Sequence, residues 1–594
     1  MPERPRRAAA PVAAAPVAAV LAVVLALVLG GCASIPTSGP VRAGAVAGGG
    51  QQPGFRVAPA PPAAGAAPDA VVRGFLLAGV EVEDEFATAR QYLSTGRRGT
   101  WQPTTRTVVR AEGADAMTVA VSSAAAPGQA VVDVTVDVTG SVDEHGRYAA
   151  AAPGASESFS VVLVREDEEW RIAEVPDLLL VAEPDFLRTF RARSLYFAAG
   201  SDGHLVPEVR WFADRPASAT ALVTELLAGP SPWLAPAVTT GAAPGSTLGR
   251  RGSVAVTERE ARVDLPQALV DADTADPALL RRQLQATLQA LPGVGAVRVT
   301  VDGGELDDAG EAAVVEPAVD AAPVLVRDGS LVRLRDGALT PVEGLPALDG
   351  LGASDPAVLG GTYAVLAAGR TQLLVLERDQ EEAPRVVLTA AQLTAPSLDR
   401  AGWVWSTSRA SVGTVTAVGP EGDVAEVAAT WLAGRTVQSL RASRDGARVV
   451  VVSSGADAAV GGAQSVRVDL AAVVRDGEDA PRELSVEPGT PTPWLAAATA
   501  AVWVDATTVA VLGVPAPGSS QGAAGTPQVL LLTGGRARSL GAPVEATEPV
   551  RLAAGSGPRT ILVGTADGAL WQRAGSRWVA VAGASGAVDP AYAG

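Results

Sequence analysis

The chain is poor in the side chains that most protein chemistry uses. Its 594 residues contain no lysine, no asparagine, two histidines (His145 and His204) and one cysteine (Cys32). Acid–base and nucleophilic catalysis mostly recruit histidine, cysteine or paired acids. A zinc site of thiolates and imidazoles is nearly excluded for the same reason. We place both histidines in exposed turns, and we predict no catalytic residue, no metal and no cofactor, hence a protein that is not an enzyme.

The charged residues are unbalanced in sign and in type. All 47 basic residues are arginine, a bias that fits a strongly GC-rich coding genome better than a functional need. The 64 acidic residues outnumber them and give a formal net charge of −17. Such a chain has no field that would attract nucleic acid, and no arginine cluster in the sequence suggests it. Nucleic acid is therefore excluded as a partner.

The first residues have the order of a secretory signal peptide. Three arginines, Arg4, Arg6 and Arg7, precede an apolar stretch of 13 residues from Val17 to Leu29, and small residues follow. This stretch is too short to span a bilayer but suits the core of a signal peptide. Nothing after Leu29 looks like a second membrane span, so any membrane attachment must come from lipid.

The apolar stretch ends in Leu29, Gly30, Gly31 and Cys32, and this tetrapeptide resembles the bacterial lipobox. The resemblance implies cleavage between Gly31 and Cys32, a diacylglyceryl group on the cysteine sulfur and an acyl chain (such as palmitate) on its nitrogen. Two or three acyl chains anchor a protein stably. We therefore expect a lipoprotein on the extracytoplasmic face of the cell membrane. An ordinary signal peptide with a chance cysteine is the alternative.

Cleavage would change the chain in two ways. Residues 1–31 carry a net charge of +2, so their removal takes the formal charge from −17 to −19. With Cys32 acylated, no thiol is left for a disulfide, and stability must come from apolar cores. Residues 33–68 are rich in Gly, Ala and Pro without any period, which predicts a flexible tether over residues 32–68.

The block from residue 69 to 190 begins with helical signals and continues with strand signals. Asp69 can cap a first helix, and Glu83 to Leu93 forms a second helical stretch that Trp101 to Pro103 ends. Alternating segments then predict strands at 107–110, 117–121, 131–139, 157–164 and 170–175. Two helices before a meandering antiparallel sheet resemble the NTF2-like cone, so we predict an α+β N-terminal domain.

Residues 193–307 alternate between strand and helix signals. Strands are predicted at 195–197, 205–212, 254–256, 261–265 and 297–301. A helix starts at Pro216 and stops at Gly229-Pro230, and another starts with Asp276 as its cap and Pro277 in its first position. These elements predict a second, compact α+β module.

Helical periodicity nearly vanishes between residues 320 and 590. Asp-Gly pairs, which suit tight hairpins, recur at 328–329, 336–337, 349–350, 445–446, 476–477 and 567–568. About 270 residues at roughly 40–45 per four-stranded blade correspond to six or seven blades. We predict an all-β domain, a β-propeller, with a pair of β-sandwiches as the alternative.

Several motifs match one family in the same order. Cys32 to Val41 closely resembles the mature start of the actinobacterial LpqB lipoproteins, and Gly74 to Pro103 is similar to their N-terminal domain. The block 193–307 resembles the GerMN module of germination and sporulation proteins. Its matching motifs are Leu195–Phe197, Leu205–Arg210, Glu225–Pro230 and Arg262–Leu265. The order of tether, N-terminal domain, GerMN domain and propeller-like LpqB domain covers essentially the whole mature chain.

The resemblance implies an accessory role in two-component signalling. LpqB proteins associate with the extracytoplasmic part of the sensor histidine kinase MtrB of the MtrA–MtrB system and tune its output, affecting cell division and envelope homeostasis. GerMN modules are thought to mediate binding at the cell envelope. We therefore expect a kinase-modulating lipoprotein. One alternative is a protein that binds peptidoglycan or another cell-wall glycan, and a second is a wall hydrolase with carboxylates in the propeller channel.

Other candidate sites have simpler interpretations. The acid runs Glu81–Glu85 and Glu166–Glu169 leave a calcium site open, but a solvated turn or a helix N-terminus explains them better. Gly48 to Gly50 lacks the strand and the lysine of a phosphate-binding loop, and the stretch 455–462, which serines flank on both sides, lacks a histidine partner. The seven tryptophans of the last block suit blade packing better than a sugar-stacking platform.

Overall fold

In the computed structural model of the chain, the described residues are 59–80, 85–113, 115–122, 126, 128–199, 204–215, 217–249, 252–306, 320–379, 383–457, 463–485, 494–518, 525–543 and 548–594. The lipobox, the tether up to residue 58, the glycines 48–50 and the turn at 202–203 lie outside these ranges, as do residues 81–84 of the first acid run. No helix within these ranges is long and apolar enough to cross a bilayer.

The N-terminal domain packs short helices against a seven-stranded sheet. Its helices are α1 (Pro68–Ala78), α2 (Ala87–Gln91), α3 (Thr95–Arg98) and α4 (Glu183–Thr189). Its strands are β1 (Arg106–Arg110), β2 (Met117–Val121), β3 (Gln129–Asp143), β4 (Tyr148–Ala150), β5 (Ser156–Glu166), β6 (Glu169–Glu174) and β7 (Leu179–Ala182). The order is β6-β5-β3-β1-β7, and β2 and β4 also pair with β3. Alternate residues of β3, including Val132 and Val134, enter a core with Phe75 of α1 and Trp101.

Three details of this domain differ from the sequence prediction. The second helix covers only Ala87–Gln91, because Glu85 and Phe86 take positive φ angles of 54° and 63°. This turn places the centroid of the buried Phe86 ring 6.1 Å from the centroid of the Trp101 ring. Helix α1 begins at Pro68, with Asp69 in its first turn rather than at its cap. Strand β7 was missed because all four of its residues are buried, so it has no alternation; it pairs in parallel with β1.

The second domain carries two short sheets packed with three helices. The strands are β8 (Phe190–Ala199), β9 (His204–Ala213), β10 (Ala255–Thr257), β11 (Glu260–Leu265), β12 (Ala296–Val301) and β13 (Gly304–Glu305). The helices are α5 (Ser218–Ala228), α6 (Gln267–Val270) and α7 (Pro277–Gln289). Asp276 accepts a 2.9 Å hydrogen bond from the Leu279 N–H, as its predicted capping role requires. Leu280, Leu284 and Leu288 of α7 are buried against β8 and β12.

The strands described after residue 320 form six four-stranded blades, so the domain is a β-propeller and the β-sandwich alternative is wrong. The first blade contains β14 (Val324–Arg327), β15 (Ser330–Arg335), β16 (Ala338–Pro341) and the last strand, β37 (Val588–Ala591). The second contains β17 (Ser354–Leu359), β18 (Thr362–Ala367), β19 (Gln372–Glu377) and β20 (Arg385–Thr389). The third contains β21 (Ser397–Leu398), β22 (Val404–Trp405), β23 (Thr414–Val418) and β24 (Val424–Ala428).

The other three blades follow the same order. The fourth contains β25 (Thr436–Ala442), β26 (Arg448–Asp457), β27 (Ala463–Arg475) and β28 (Pro481–Ser485). The fifth contains β29 (Leu495–Asp505), β30 (Thr508–Pro515), β31 (Gln528–Thr533) and β32 (Arg536–Gly541). The sixth contains β33 (Pro549–Ala553), β34 (Leu562–Thr565), β35 (Leu570–Ala574) and β36 (Arg577–Ala580). Asp-Gly turns join β14 to β15 and β15 to β16, with φ between 48° and 76° at all four residues, as hairpin turns of this type require.

The ring closes by pairing the end of the chain with the first blade. Strand β37 pairs antiparallel with β14, with Val324 opposite Ala591 and Val326 opposite Val588. The innermost strands β17, β21, β25, β29, β33 and β37 contact one another in sequence around the ring, and β37 contacts β17. We call the side where these innermost strands begin the entry face, and the side where they end the exit face.

The first two domains are hydrogen-bonded to the exit face. The Arg448 guanidinium donates to the Pro207 carbonyl (2.9 Å), and the Trp211 indole donates to the Gly534 carbonyl (2.9 Å). Arg536 forms a 2.8 Å ion pair with Glu183 of the N-terminal domain. The long loop after β30 also reaches the N-terminal domain, near Pro153. The three domains described here therefore form a single packed body.

A substitution at Gly535 would test the contact between the propeller and the N-terminal domain. Its φ is +80°, and a Cβ there would lie 2.6 Å from the Tyr148 carbonyl oxygen. Gly535→Ala should therefore loosen this contact and lower stability by about 1–3 kcal/mol, measured by calorimetry and by limited proteolysis of the linked domains. Gly575→Ala is the matched control, because Gly575 has a φ of +63° in the equivalent hairpin of the next blade but meets nothing within 4 Å. Equal effects of the two substitutions would contradict the assignment.

Candidate binding sites at the domain interfaces and the propeller channel

The two histidines lie in different environments, and one prediction about them is wrong. His145 occupies a turn as predicted, and its Nδ1 lies 3.1 Å from Glu225 Oε2 of the second domain. His204 was expected in an exposed turn, but it is the first residue of β9 and is 4% exposed. It is buried because Arg400 of the exit face covers it, with Nη1 3.4 Å from the His204 Nδ1. Burial at a domain interface leaves no pattern in the local sequence.

The motif residues of the second domain form a buried ionic network. The Arg210 guanidinium is 3% exposed; it donates two 3.1 Å bonds to Glu208 and one 2.9 Å bond to Glu225. The Glu208 carboxylate also accepts from the Ser231 N–H at 3.0 Å. Buried charges require paired, hydrogen-bonded partners. Glu208 and Glu225 therefore neutralise the buried Arg210, and Arg210 neutralises them. The network ties β9 to α5 and, through His145, to the N-terminal domain.

Removing one charge from this network should lower the free energy of unfolding considerably. Glu208→Gln should leave Arg210 short of one carboxylate in a buried site and should lower stability by about 3 kcal/mol, read from calorimetric unfolding. Glu260→Gln is a suitable control, since Glu260 also pairs with two arginines, Arg262 and Arg298, but on the surface. Only a small change is expected there because solvent screens exposed pairs. A Glu208→Gln protein that melts like the wild type would refute the network's role.

A cavity of about 300 Å³ separates the N-terminal and second domains beside this network. Its lining includes Thr104, Val142, Phe190, Trp211, Thr224 and Glu225. The one carboxylate of the network that reaches it, Glu225, is already engaged by Arg210 and His145. Asp143, Glu144 and Arg215 also line the cavity, and Asp143 pairs with Arg147 at 2.7 Å, so the wall is mixed in character.

The described acidic residues of the two acid runs accept backbone hydrogen bonds or form a hairpin turn. The Thr95 N–H donates to both Glu166 oxygens at 3.1 and 3.2 Å, and the Gly65 N–H donates to both Glu169 oxygens at 3.0 and 2.9 Å. Asp167 and Glu168 make the hairpin turn, with φ of 50° and 67°. Within the described ranges, no group of three or more His, Cys, Asp or Glu side chains could hold a metal ion.

The tryptophans of the propeller are structural. Trp403, Trp405 and Trp503 are buried, and the other four are half-buried: Trp431, Trp494, Trp571 and Trp578. The Trp405 indole donates to Asp399 at 2.8 Å, and Arg475 pairs with the same carboxylate at 2.5 Å. Blade packing is therefore their role, as the sequence predicted.

The propeller channel is narrow, and its described wall carries one charged side chain. A cavity of about 50 Å³ lies between the innermost strands, and Arg441 is the charged side chain among the described residues that line it. At the exit face the channel opens into a cavity of about 520 Å³, where Arg333 and Arg378 both donate to the Tyr363 hydroxyl, at 3.1 and 2.9 Å. Among the described residues, no Asp or Glu lines the 50 Å³ cavity, and the two carboxylates at its entry-face mouth, Asp355 and Asp589, each pair with an arginine.

Comparison with known proteins agrees with this architecture. The family model described as Lipoprotein LpqB, N-terminal domain, matches residues 61–187, and the Lipoprotein LpqB beta-propeller domain matches residues 329–593. A third model, described as Sporulation and spore germination, matches residues 194–307 between them. The Lipoprotein LpqB of Thermobifida fusca is 30% identical over 506 residues, which are 73% of this chain and 78% of that protein.

The chain belongs to the LpqB lipoprotein family. The LpqB of Mycobacterium tuberculosis is also 30% identical, over 54% of this chain and 56% of its own length. The predicted GerMN and β-propeller domains are both confirmed. Among solved structures, the tandem GerMN domains of GerM from Bacillus subtilis align at 13% identity over 24% of this chain and 58% of that chain, with a TM-score of 0.17, which is too low to bear on the fold. The family name agrees with a lipid-anchored membrane protein.

Proposed function

We propose that this LpqB lipoprotein is anchored by lipid on Cys32 to the outer face of the cytoplasmic membrane and binds the extracytoplasmic domain of an MtrB-type sensor kinase. Through that contact it modulates an MtrA–MtrB-type two-component system and so affects cell division and envelope homeostasis. Membership of the LpqB family supports the proposal.

The observation that carries the proposal is the packing of three domains into one body. Arg448, Trp211 and Arg536 join the first two domains to one face of the propeller. Three domains packed together present one joint set of surfaces to a partner. Tethering raises the effective concentration for a membrane-embedded partner, to the order of millimolar for short flexible linkers, without any new contact. This arrangement suits a regulatory partner of a membrane kinase.

A deletion strain tests the proposal in the cell. Loss of the gene should change phosphorylation of the response regulator MtrA, and the wild-type gene should restore it. Normal MtrA phosphorylation in the deletion strain would overturn the proposal. Sedimentation of the purified chain with isolated cell walls tests the glycan-binding alternative separately: that alternative predicts co-sedimentation, whereas the kinase proposal does not require it.

A further inference from the structure

Charged side chains gather at the entry-face mouth of the channel, on the side opposite the hydrogen bonds to the other two domains. Four are arginines and two are aspartates: Arg370, Arg409, Arg441, Arg551, Asp355 and Asp589. They come from the starts of innermost strands, from the loops that follow the second strands and, for Arg441, from the channel wall. Every hydrogen-bond partner found for these side chains in the described part of the chain belongs to the propeller.

Two of the arginines neutralise the two aspartates. Arg370 Nη1 lies 2.5 Å from Asp355 Oδ2, and Arg551 Nε lies 2.5 Å from Asp589 Oδ1 and 3.7 Å from Asp355 Oδ1. The Asp355 N–H donates to Asp589 Oδ2 at 3.1 Å and so links the two pairs. These four groups are balanced in charge, and their side chains hold the first and second blades and the sixth blade together at the mouth.

The other two arginines are bound only to neutral acceptors in the described part of the chain. Arg409 donates to the Gln438 side-chain oxygen, and its Nε is buried without a hydrogen-bond partner there. Arg441 Nη1 donates to the carbonyls of Ala395 and Pro396 at 2.8 and 2.5 Å. A charged nitrogen that is buried without an acceptor is costly. Both arginines are partly buried and neither pairs with an anion among the described residues, so both groups can take up an anion from solvent.

The charges at the mouth also favour binding of an anion. Burial lowers the pKa of Arg441 to about 10; Asp355 acts against the shift, whereas Arg370 and Arg551 add to it. Burial lowers the pKa of Arg409 as well, with Arg370 again contributing. Four guanidinium groups against two carboxylates leave two positive charges uncompensated, in a chain whose formal net charge is −17.

We propose that the entry-face mouth, where Arg409 and Arg441 share the charged neighbours Asp355, Arg370 and Arg551, binds a dianionic oxyanion, with phosphate as its simplest form. The planar guanidinium fork matches phosphate oxygens two at a time. A phosphate monoester carries about −1.5 to −2 charges at pH 7, which balances the two uncompensated arginines. The side chains of Arg370 and Arg551 are 30% and 40% exposed, so the mouth is open to solvent. The channel beneath holds about 50 Å³, so the anion sits at the mouth and does not pass through.

Calorimetric titration of the full-length chain in nonionic detergent micelles and phosphate-free buffer tests this site. Inorganic phosphate and glycerol 3-phosphate should each bind saturably with one site per chain, and binding of the second shows that an attached phosphate group is accepted as well as the free ion. Dimethyl phosphate and acetate, each with a single negative charge, should bind at least about ten-fold more weakly, because one of the two arginines then lacks its counter-charge.

Substitutions locate the site. Arg409→Gln should weaken phosphate binding at least about ten-fold. Arg378→Gln, which removes an arginine from the exit-face cavity instead, should leave it unchanged. If Arg409→Gln fails to fold, Arg409→Lys, which keeps the charge but loses the fork, should still weaken binding. The proposal is overturned if the wild-type chain binds neither phosphate compound, if dimethyl phosphate binds equally well, or if binding is lost with Arg378→Gln but not with a folded Arg409 variant.

Discussion

A chain that ends before Val588 should lose its propeller. Strand β37 is the innermost strand of the first blade, so its removal leaves β14 as an unpaired edge and opens the ring between β33 and β17. It also removes Tyr592, which is 8% exposed and packs with residues of the first and sixth blades. The lost pairing and burial amount to at least several kcal/mol, against a total stability of about 5–15 kcal/mol for a typical domain. We expect the cooperative unfolding transition of the propeller to disappear.

Calorimetry and limited proteolysis of the truncated chain would show this effect. A synthetic peptide covering residues 584–594 should partly restore the transition by adding a strand to the open edge, as extended peptides do elsewhere. A peptide of the same composition in scrambled order is the control and should not. A truncated chain that unfolds like the full-length protein would show that the last strand does not close the ring.

Cys32→Ser should release the protein from the membrane without changing its fold. Acyl chains on this cysteine are the expected anchor, and serine at this position cannot carry the thioether-linked diacylglyceryl group. The described N-terminal domain begins at residue 59, 27 positions after Cys32. The soluble protein should therefore melt at the wild-type temperature. It should lose most of its effect on the kinase, because the effective concentration that tethering supplies is lost.

Membrane fractionation, melting curves and MtrA phosphorylation would measure these three properties side by side. Ser34→Ala is a matched control, since it changes a residue two positions away and leaves the lipobox intact. A Cys32→Ser protein that stays with the membrane would refute the lipid anchor. A soluble Cys32→Ser protein with normal kinase output would refute the role of tethering.

The sequence predicted the helix and strand order well where local signals are strong. The Asp276-Pro277 start of α7, the stop at Gly229 and the hairpins at 328–329 and 336–337 depend on capping and turn chemistry within a few residues. The same logic failed at β7, whose four buried residues lack a period, and at Phe86, whose positive φ goes with packing against Trp101, a residue 15 positions away. The sequence limits the blade number only to six or seven, and the pairing of the strands decides it.

The candidate sites depended on contacts between distant parts of the chain. Glu208, Arg210 and Glu225 were noticed as motif residues, but nothing in their spacing shows that they are buried together. His204 was misplaced because the residue that covers it lies 196 positions away. The entry-face arginines were not recognised at all, since Arg370, Arg409, Arg441 and Arg551 come from four different blades and are scattered over 182 positions. Only closure of the ring brings them together.

Direct binding to the kinase is the most decisive measurement. The purified full-length chain in nonionic detergent micelles is titrated with the purified extracytoplasmic domain of the MtrB-type kinase from the same organism. The extracytoplasmic domain of an unrelated sensor kinase serves as the control. We predict a saturable complex with the MtrB domain and none with the control. Absence of a complex with the MtrB domain, with both proteins folded, would contradict the proposed function.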